Sequence, residues 1–185
     1  MKTIWVRHGE SEYNAKNLAT GWHDPLLTEK GINQAAKTAK ELANRYQSVD
    51  SIHCSDLKRA AQTASIIVQL TPWFVDVKID PRLRERDYGT WSGCDKNQNK
   101  LSVGQEQYLA IRRGWKTAPP EGESLEQTSV RVADYLDNIE QSNVPIIFVC
   151  HGNTIRAASV IFGKNTPESV VDWEIETGGF VEWEY

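Results

Sequence analysis

Apolar residues along this chain fall into two kinds of run, and the two kinds alternate. Short runs at 3–6, 49–54, 73–79 and 145–150, rich in Ile, Val, Trp and Phe, have the length and composition of buried strands. Between them apolar residues recur at helical spacing. Thr28 can cap a helix whose apolar face runs through Ile32, Ala35, Ala36, Ala39, Leu42 and Tyr46. Ser55 or Asp56 can cap the next, with Leu57, Ala60, Ala61, Ala64, Ile67 and Val68 inward and Arg59 in its first turn. Ser124-Leu-Glu-Gln127 has the form of a capping box and opens a helix with Leu125, Val132, Leu136 and Ile139 on one face. A helix over 154–162 follows the strand 145–150, and Pro167 begins a short one. The stretch 82–120 is irregular apart from a helix over 105–115, and 174–185 closes with two strand-like pieces around Gly178-Gly179.

Strands that alternate with helices predict an α/β fold with a mainly parallel sheet covered on both faces. With 185 residues and no internal repeat, low-complexity tract or linker, one domain over 1–185 is expected.

Composition narrows the chemistry. The formal net charge of -4 offers nothing global to nucleic acid or to an anionic membrane, so an anionic substrate would have to be held by a local concentration of Arg. Cys54, Cys94 and Cys150 are odd in number and widely spaced, which argues against a disulfide framework or a zinc knuckle and for a reducing, cytoplasmic setting. No apolar run approaches the roughly 20 residues that a bilayer-spanning helix needs, and the first residues do not read as a signal peptide.

In parallel sheets functional groups collect beyond the carboxyl ends of the strands. Two predicted strands end there in the same dipeptide, His8-Gly9 and His151-Gly152, with Arg7 before one and Asn153 after the other. Each glycine would let the backbone pass close to a bound group. Two unrelated turns could each hold a histidine, but the shared pattern fits a phosphoryl pocket better. A neutral imidazole can attack phosphorus through one nitrogen while the other keeps its proton. Arg7 and Arg59 can grip oxygens with planar forks, and a helix starting near Asn153 would aim N–H groups at an anion.

The run Arg7-His-Gly-Glu-Ser-Glu-Tyr-Asn14 resembles the signature of the histidine phosphatase superfamily. More narrowly, the chain is similar to its 2,3-bisphosphoglycerate-dependent phosphoglycerate mutases. The same resemblance is carried by Thr20-Gly-Trp22, Leu27-Thr-Glu-Lys-Gly31, Ser55-Asp-Leu-Lys-Arg-Ala60, Leu83-Arg-Glu-Arg-Asp-Tyr-Gly89, Arg112-Arg-Gly114, His151-Gly-Asn153 and Arg156-Ala157. It implies a phosphoglycerate mutase-like three-layer α/β/α fold. It implies His8 as the phosphorylated nucleophile, His151 as its partner, Arg7 and Arg59 on the phosphoryl group, and Glu85 exchanging a proton with the substrate hydroxyl. Asn14, Gly152 and Asn153 would help to bind phosphate. Ser11, Thr20, Gly21, Tyr88, Lys96, Arg112 and Arg113 would hold the rest of a phosphoglycerate. 2,3-Bisphosphoglycerate would be the primer that phosphorylates His8, and no metal would be needed.

Each assignment has a plainer competitor. Glu85 could pair at the surface with Arg84 or Arg86, and Arg112 and Arg113 could form a solvated helix face. Lys96 rests on the short match Gly93-Cys-Asp-Lys96. Pro119-Pro-Glu-Gly-Glu-Ser-Leu125 crosses directly a gap that long mutases fill with an insert, and those mutases continue past the final strand with a tail that covers the site. Less cover would favour hydrolysis, so a phosphomonoesterase with the same phosphohistidine is the alternative. The missing insert also bears on subunit contacts and leaves a homo-oligomer open. A non-catalytic module on this fold would be expected to lose His8, His151, Arg7, Arg59 or Glu85, and all five are present. G-x-G-x-x-G, Walker A, G-x-S-x-G and H-E-x-x-H patterns are all missing from the sequence.

Overall fold

The computed structural model describes residues 1–184. Its centre is a five-stranded sheet of β1 (Lys2–Arg7), β2 (Ile52–Cys54), β3 (Val77–Ile79), β4 (Ile146–Cys150) and β5 (Phe180–Glu184), in the order β3-β2-β4-β1-β5. Every pairing is parallel except that of β5 with β1. The helices are α1 (Glu12–Ala15), α2 (Glu29–Arg45), α3 (Lys58–Leu70), α4 (Lys96–Val103), α5 (Gln105–Arg113), α6 (Leu125–Leu136) and α7 (Gly152–Ile161).

Strand alternation sends neighbouring side chains to opposite faces and so makes three layers. Ile4, Val6, Ile52, Cys54, Ile147 and Val149 pack against Ala39 and Leu42 of α2 and Ala60, Ala64 and Ile67 of α3. Trp5, Phe148 and Cys150 point the other way, to Val132, Tyr135 and Leu136 of α6 and Ile155 and Ala158 of α7. Trp5 and Phe148 stack with centroids 4.3 Å apart, an offset aromatic pair at the middle of that layer.

Several predicted boundaries move, each for a local reason. The runs 49–54 and 73–79 keep only Ile52–Cys54 and Val77–Ile79 in the sheet, and β3, an edge strand that meets β2 alone, is exposed rather than buried as expected. Ile32 is 45% exposed, one position outside the stripe that Gly31, Ala35, Thr38, Ala39 and Leu42 bury. Neither Ser55 nor Asp56 caps α3. Its N-cap is Leu57, with no side-chain bond, and the Ser55 hydroxyl faces the site instead. α7 begins at Gly152, two residues earlier than predicted, and the turn near Pro167 is a 3-10 turn, Ser169–Val171. Of the two closing strand-like pieces only the second is a strand, and Tyr185 at its end lies outside the described residues. The capping box of α6 forms as read, Ser124 and Gln127 bonding each other's backbone N–H.

Candidate active site

β1 and β4 pair in parallel with Arg7 opposite Cys150, so the next residues of both strands, His8 and His151, emerge side by side. Their ring centroids are 5.0 Å apart at 62°. β2 pairs with β4 one step earlier, which delivers Ser55 to the same edge, where its hydroxyl lies 2.9 Å from His151 Nε2. A hydroxyl can donate or accept, so this bond holds the ring without fixing its proton.

The state of His8 does follow from its partners. Nδ1 lies 2.6 Å from the Gly9 carbonyl, which can only accept, so Nδ1 carries the proton. Nε2 receives the Nε–H of Arg59 across 3.2 Å, so Nε2 presents its lone pair. Burial foremost, then the charges of Arg59 and Arg7, hold the pKa of His8 well below 6.5. Burial, Arg59 and His8 lower that of His151 likewise. The ring at position 8 is a neutral imidazole with a defined nucleophilic nitrogen.

The arginines do not present their forks as the sequence suggested. Arg59 Nη1 and Nη2 donate to the carbonyls of His23 and Gly21 at 2.8 and 2.9 Å, leaving only Nε toward His8. Burial lowers the pKa of Arg59 to about 10, still protonated at neutral pH. Arg7 Nη1 donates to the Ile175 carbonyl and to Glu174 Oε1, while its buried Nε has no partner. His151 Nδ1 is also buried without one. Unmatched buried polar atoms are costly, and two beside a neutral histidine fit an oxygen-rich ligand that supplies what they lack.

Each glycine makes room for a group of the protein itself. A Cβ at Gly9 would meet the backbone oxygen of Gly31 at 2.2 Å, so the close approach is to the start of α2. A Cβ at Gly152 would lie 3.3 Å from Arg7 Cζ, so that glycine leaves room for the guanidinium.

A narrow cleft, with a cavity volume of about 40 Å³, opens beside these groups. Arg7, Asn14, Thr20, Gly21, Glu85, Tyr88, Lys96, Arg112, Arg113, Gly152 and Asn153 all line it. His8, Ser11, Arg59 and His151 do not. His8 is 3% exposed and His151 fully buried, both linked to the wall through Arg7, Gly152 and the Arg59–Gly21 bond. Ser11 is buried, and its hydroxyl donates to Asn14 Oδ1 at 3.0 Å, which orients Asn14 rather than reaching the cleft. Asn153 spends its amide on the Tyr88 hydroxyl and Arg156, and its N–H on Glu85 Oε1 at 3.1 Å.

Glu85 is 8% exposed and pairs with neither neighbouring guanidinium: Arg84 forks onto Asp56 instead. Both hydrogen bonds to the Glu85 carboxylate fall on Oε1, from Arg86 N and Asn153 N, and none falls on Oε2. Arg112 and Arg113 are not a solvated face; they close α5 against the cleft. Burial would raise the Tyr88 pKa, yet Arg112 and Arg86 outweigh it and bring it down to about 8. Burial, then Arg112, lowers that of Lys96.

Of the four wall residues not anticipated, Leu18, Ala19, Arg156 and Glu174, the last two are charged. Arg156 sits one helical turn after Asn153, a spacing that could have revealed it. Glu174 arrives from an irregular segment, and no periodicity pointed to it. The wall thus carries five cations, Arg7, Lys96, Arg112, Arg113 and Arg156, against Glu85 and Glu174, on a protein of net charge -4. Among the described residues no three His, Cys, Asp or Glu side chains gather as a metal site would require.

Comparison with known proteins places the chain in a family. The chain belongs to the histidine phosphatase superfamily (branch 1), whose model matches residues 3–185. It is 38% identical over 187 residues to a 2,3-bisphosphoglycerate-dependent phosphoglycerate mutase of Bartonella bacilliformis, covering 98% of this chain and 91% of that one. A protein of the same name from Afipia carboxidovorans is 38% identical over 181 residues, covering 95% and 87%. Among solved structures, a mycobacterial glucosyl-3-phosphoglycerate phosphatase in complex with VO3 superposes with a TM-score of 0.83 at 27% identity, covering 98% and 90%.

Proposed function

We propose that this chain is a phosphoglycerate mutase that interconverts 3- and 2-phosphoglycerate through a phosphohistidine at His8, primed by 2,3-bisphosphoglycerate. The carrying observation is that Lys96, Arg112 and Arg113 line the same cleft as Arg7, so a second anionic group is provided for beyond the phosphoryl position. In this reading His8 Nε2 attacks phosphorus and the ester P–O bond breaks. Arg59 Nε leaves the imidazole lone pair for a phosphoryl oxygen, while Arg7 Nε and His151 Nδ1 take others. Glu85 gives a proton to the departing alkoxide; the next hydroxyl then attacks the phosphorus, the Nε2–P bond breaks, and Glu85 takes the hydroxyl proton. The names of the relatives support this reading, and the 91% coverage of one of them means that a protein so named also carries no long insert.

Hydrolysis by the same histidine is the second reading. It is favoured by the likeness to a structure named as a glucosyl-3-phosphoglycerate phosphatase and by the direct crossing from Pro119 to Leu125. Turnover of 3-phosphoglycerate with and without the primer, in a metal chelator, separates the two. Formation of 2-phosphoglycerate only when primed supports the mutase. Release of inorganic phosphate alone supports the phosphatase.

A further inference from the structure

An arginine recruits an anion only with donors that nothing else holds. In this cleft one carboxylate holds two arginines: Glu174 Oε1 lies 3.3 Å from Arg7 Nη1, and Glu174 Oε2 lies 2.9 Å from Arg113 Nη1. Arg7 belongs to the histidine end of the cleft and Arg113 to α5, so the carboxylate bridges the phosphoryl position and the outer position. Its side chain, 46% exposed, is held by these two arginines, and its backbone is fixed from both sides. On one side Val170 is buried against Leu125 and Ala157, and on the other Ile175 is buried in the Trp5–Phe148 layer, its carbonyl accepting from Arg7. The backbone is thus pinned on either side of Glu174, which lines the cleft. Burial works against its charge, but Arg7, Arg112 and Arg113 more than compensate and keep it ionised.

We propose that Glu174 is a specificity-determining residue, an internal anion that competes with the second anionic group of a ligand for Arg7 and Arg113. A phosphate ester whose remainder is uncharged leaves the Arg113 contact in place. A ligand with a further carboxylate or phosphate must displace Glu174 or bind beside its charge. The protein then holds multiply charged ligands less tightly than its five wall cations would allow, and releases them faster. This rests on the reading that the cleft takes a phosphorylated ligand.

Calorimetric titration of the unprimed protein with 3-phosphoglycerate and with inorganic phosphate tests it. Removing one negative charge a few ångströms from a ligand anion should tighten 3-phosphoglycerate about tenfold in Glu174→Gln, and inorganic phosphate less than about threefold. Loss of a merely structural contact would loosen both ligands, so tightening is the diagnostic direction. Glu174→Asp keeps the charge and should stay within about threefold of the unaltered protein. Phosphoglycerate binding that is unchanged or weaker in Glu174→Gln, or equal tightening in Glu174→Asp, overturns the proposal while leaving the phosphohistidine reading intact. Failure of the unaltered protein to bind either ligand overturns both.

Discussion

The Nε–H of Arg59 points at Nε2 of His8 across 3.2 Å, and this contact marks the imidazole nitrogen that can attack. Because Arg59 is anchored by the His23 and Gly21 carbonyls, its Nε is preset rather than recruited. Arg59→Lys keeps a charge but loses the planar geometry that serves three partners at once. The rate of His8 phosphorylation, followed in single turnovers, should fall about 100-fold or more in Arg59→Lys. A rate within about threefold of the unaltered protein would show that charge alone suffices.

Protonation of His8 should be invisible near neutrality. Its pKa lies well below 6.5, so the free base persists as pH falls through that value. Corrected for the ionisation of the donor, the phosphorylation rate should not fall between about pH 8 and about pH 6. A descending limb centred at 6.5 or above would mean that the ring is not held neutral.

The sites at the two strand ends were legible because buried strands declare themselves. Val6 and Cys150 close uninterrupted apolar runs, and the residues after them follow. The capping box of α6 is a local code and was read without loss. α4 escaped because its eight residues bury only Asn99, so no apolar period exists to find, although Asp95 caps it. Ser55 was read as a cap because the same hydroxyl chemistry serves both roles; only the register of β2 against β4 turns it to His151. Glu174 lies 167 residues from Arg7 in sequence, and such a contact exists only once the sheet is assembled.

Tyr88 should titrate near neutrality. Its pKa of about 8 owes most to Arg112, opposed by burial, so a tyrosinate absorbance band should rise with that midpoint and vanish in Tyr88→Phe. In Arg112→Ala the midpoint should move upward. An unmoved midpoint would separate Tyr88 from the cationic wall.

The glycine after each histidine gives a graded pair of substitutions. Gly9→Ala drives a methyl into backbone that cannot yield, and should cost about 3 kcal/mol or more of stability along with His8 phosphorylation. Gly152→Ala meets only the Arg7 side chain and should cost about 1 kcal/mol while weakening phosphate binding. Denaturant midpoints of the two variants check the order.

Acid should destabilise the fold through His53, buried between Ser51 and Tyr135. Burial foremost, then Lys78, lowers its pKa to about 4. The unfolded chain takes up that proton near 6.5, so stability is complete above 6.5 and is lost as pH falls toward 4. By about pH 5 about 2 kcal/mol of the His53 contribution has been lost, and His8 and His151 act in the same direction. His53→Gln should lose correspondingly less between about pH 7 and about pH 5 in urea melts. An equal loss would assign the acid sensitivity elsewhere.

Intact mass after brief exposure to 2,3-bisphosphoglycerate tests the phosphohistidine most directly. One acid-labile phosphoryl group should appear, map to the peptide carrying His8, and be missing from His8→Ala. A protein that stays unmodified, or that carries the group on any other residue, would contradict the account.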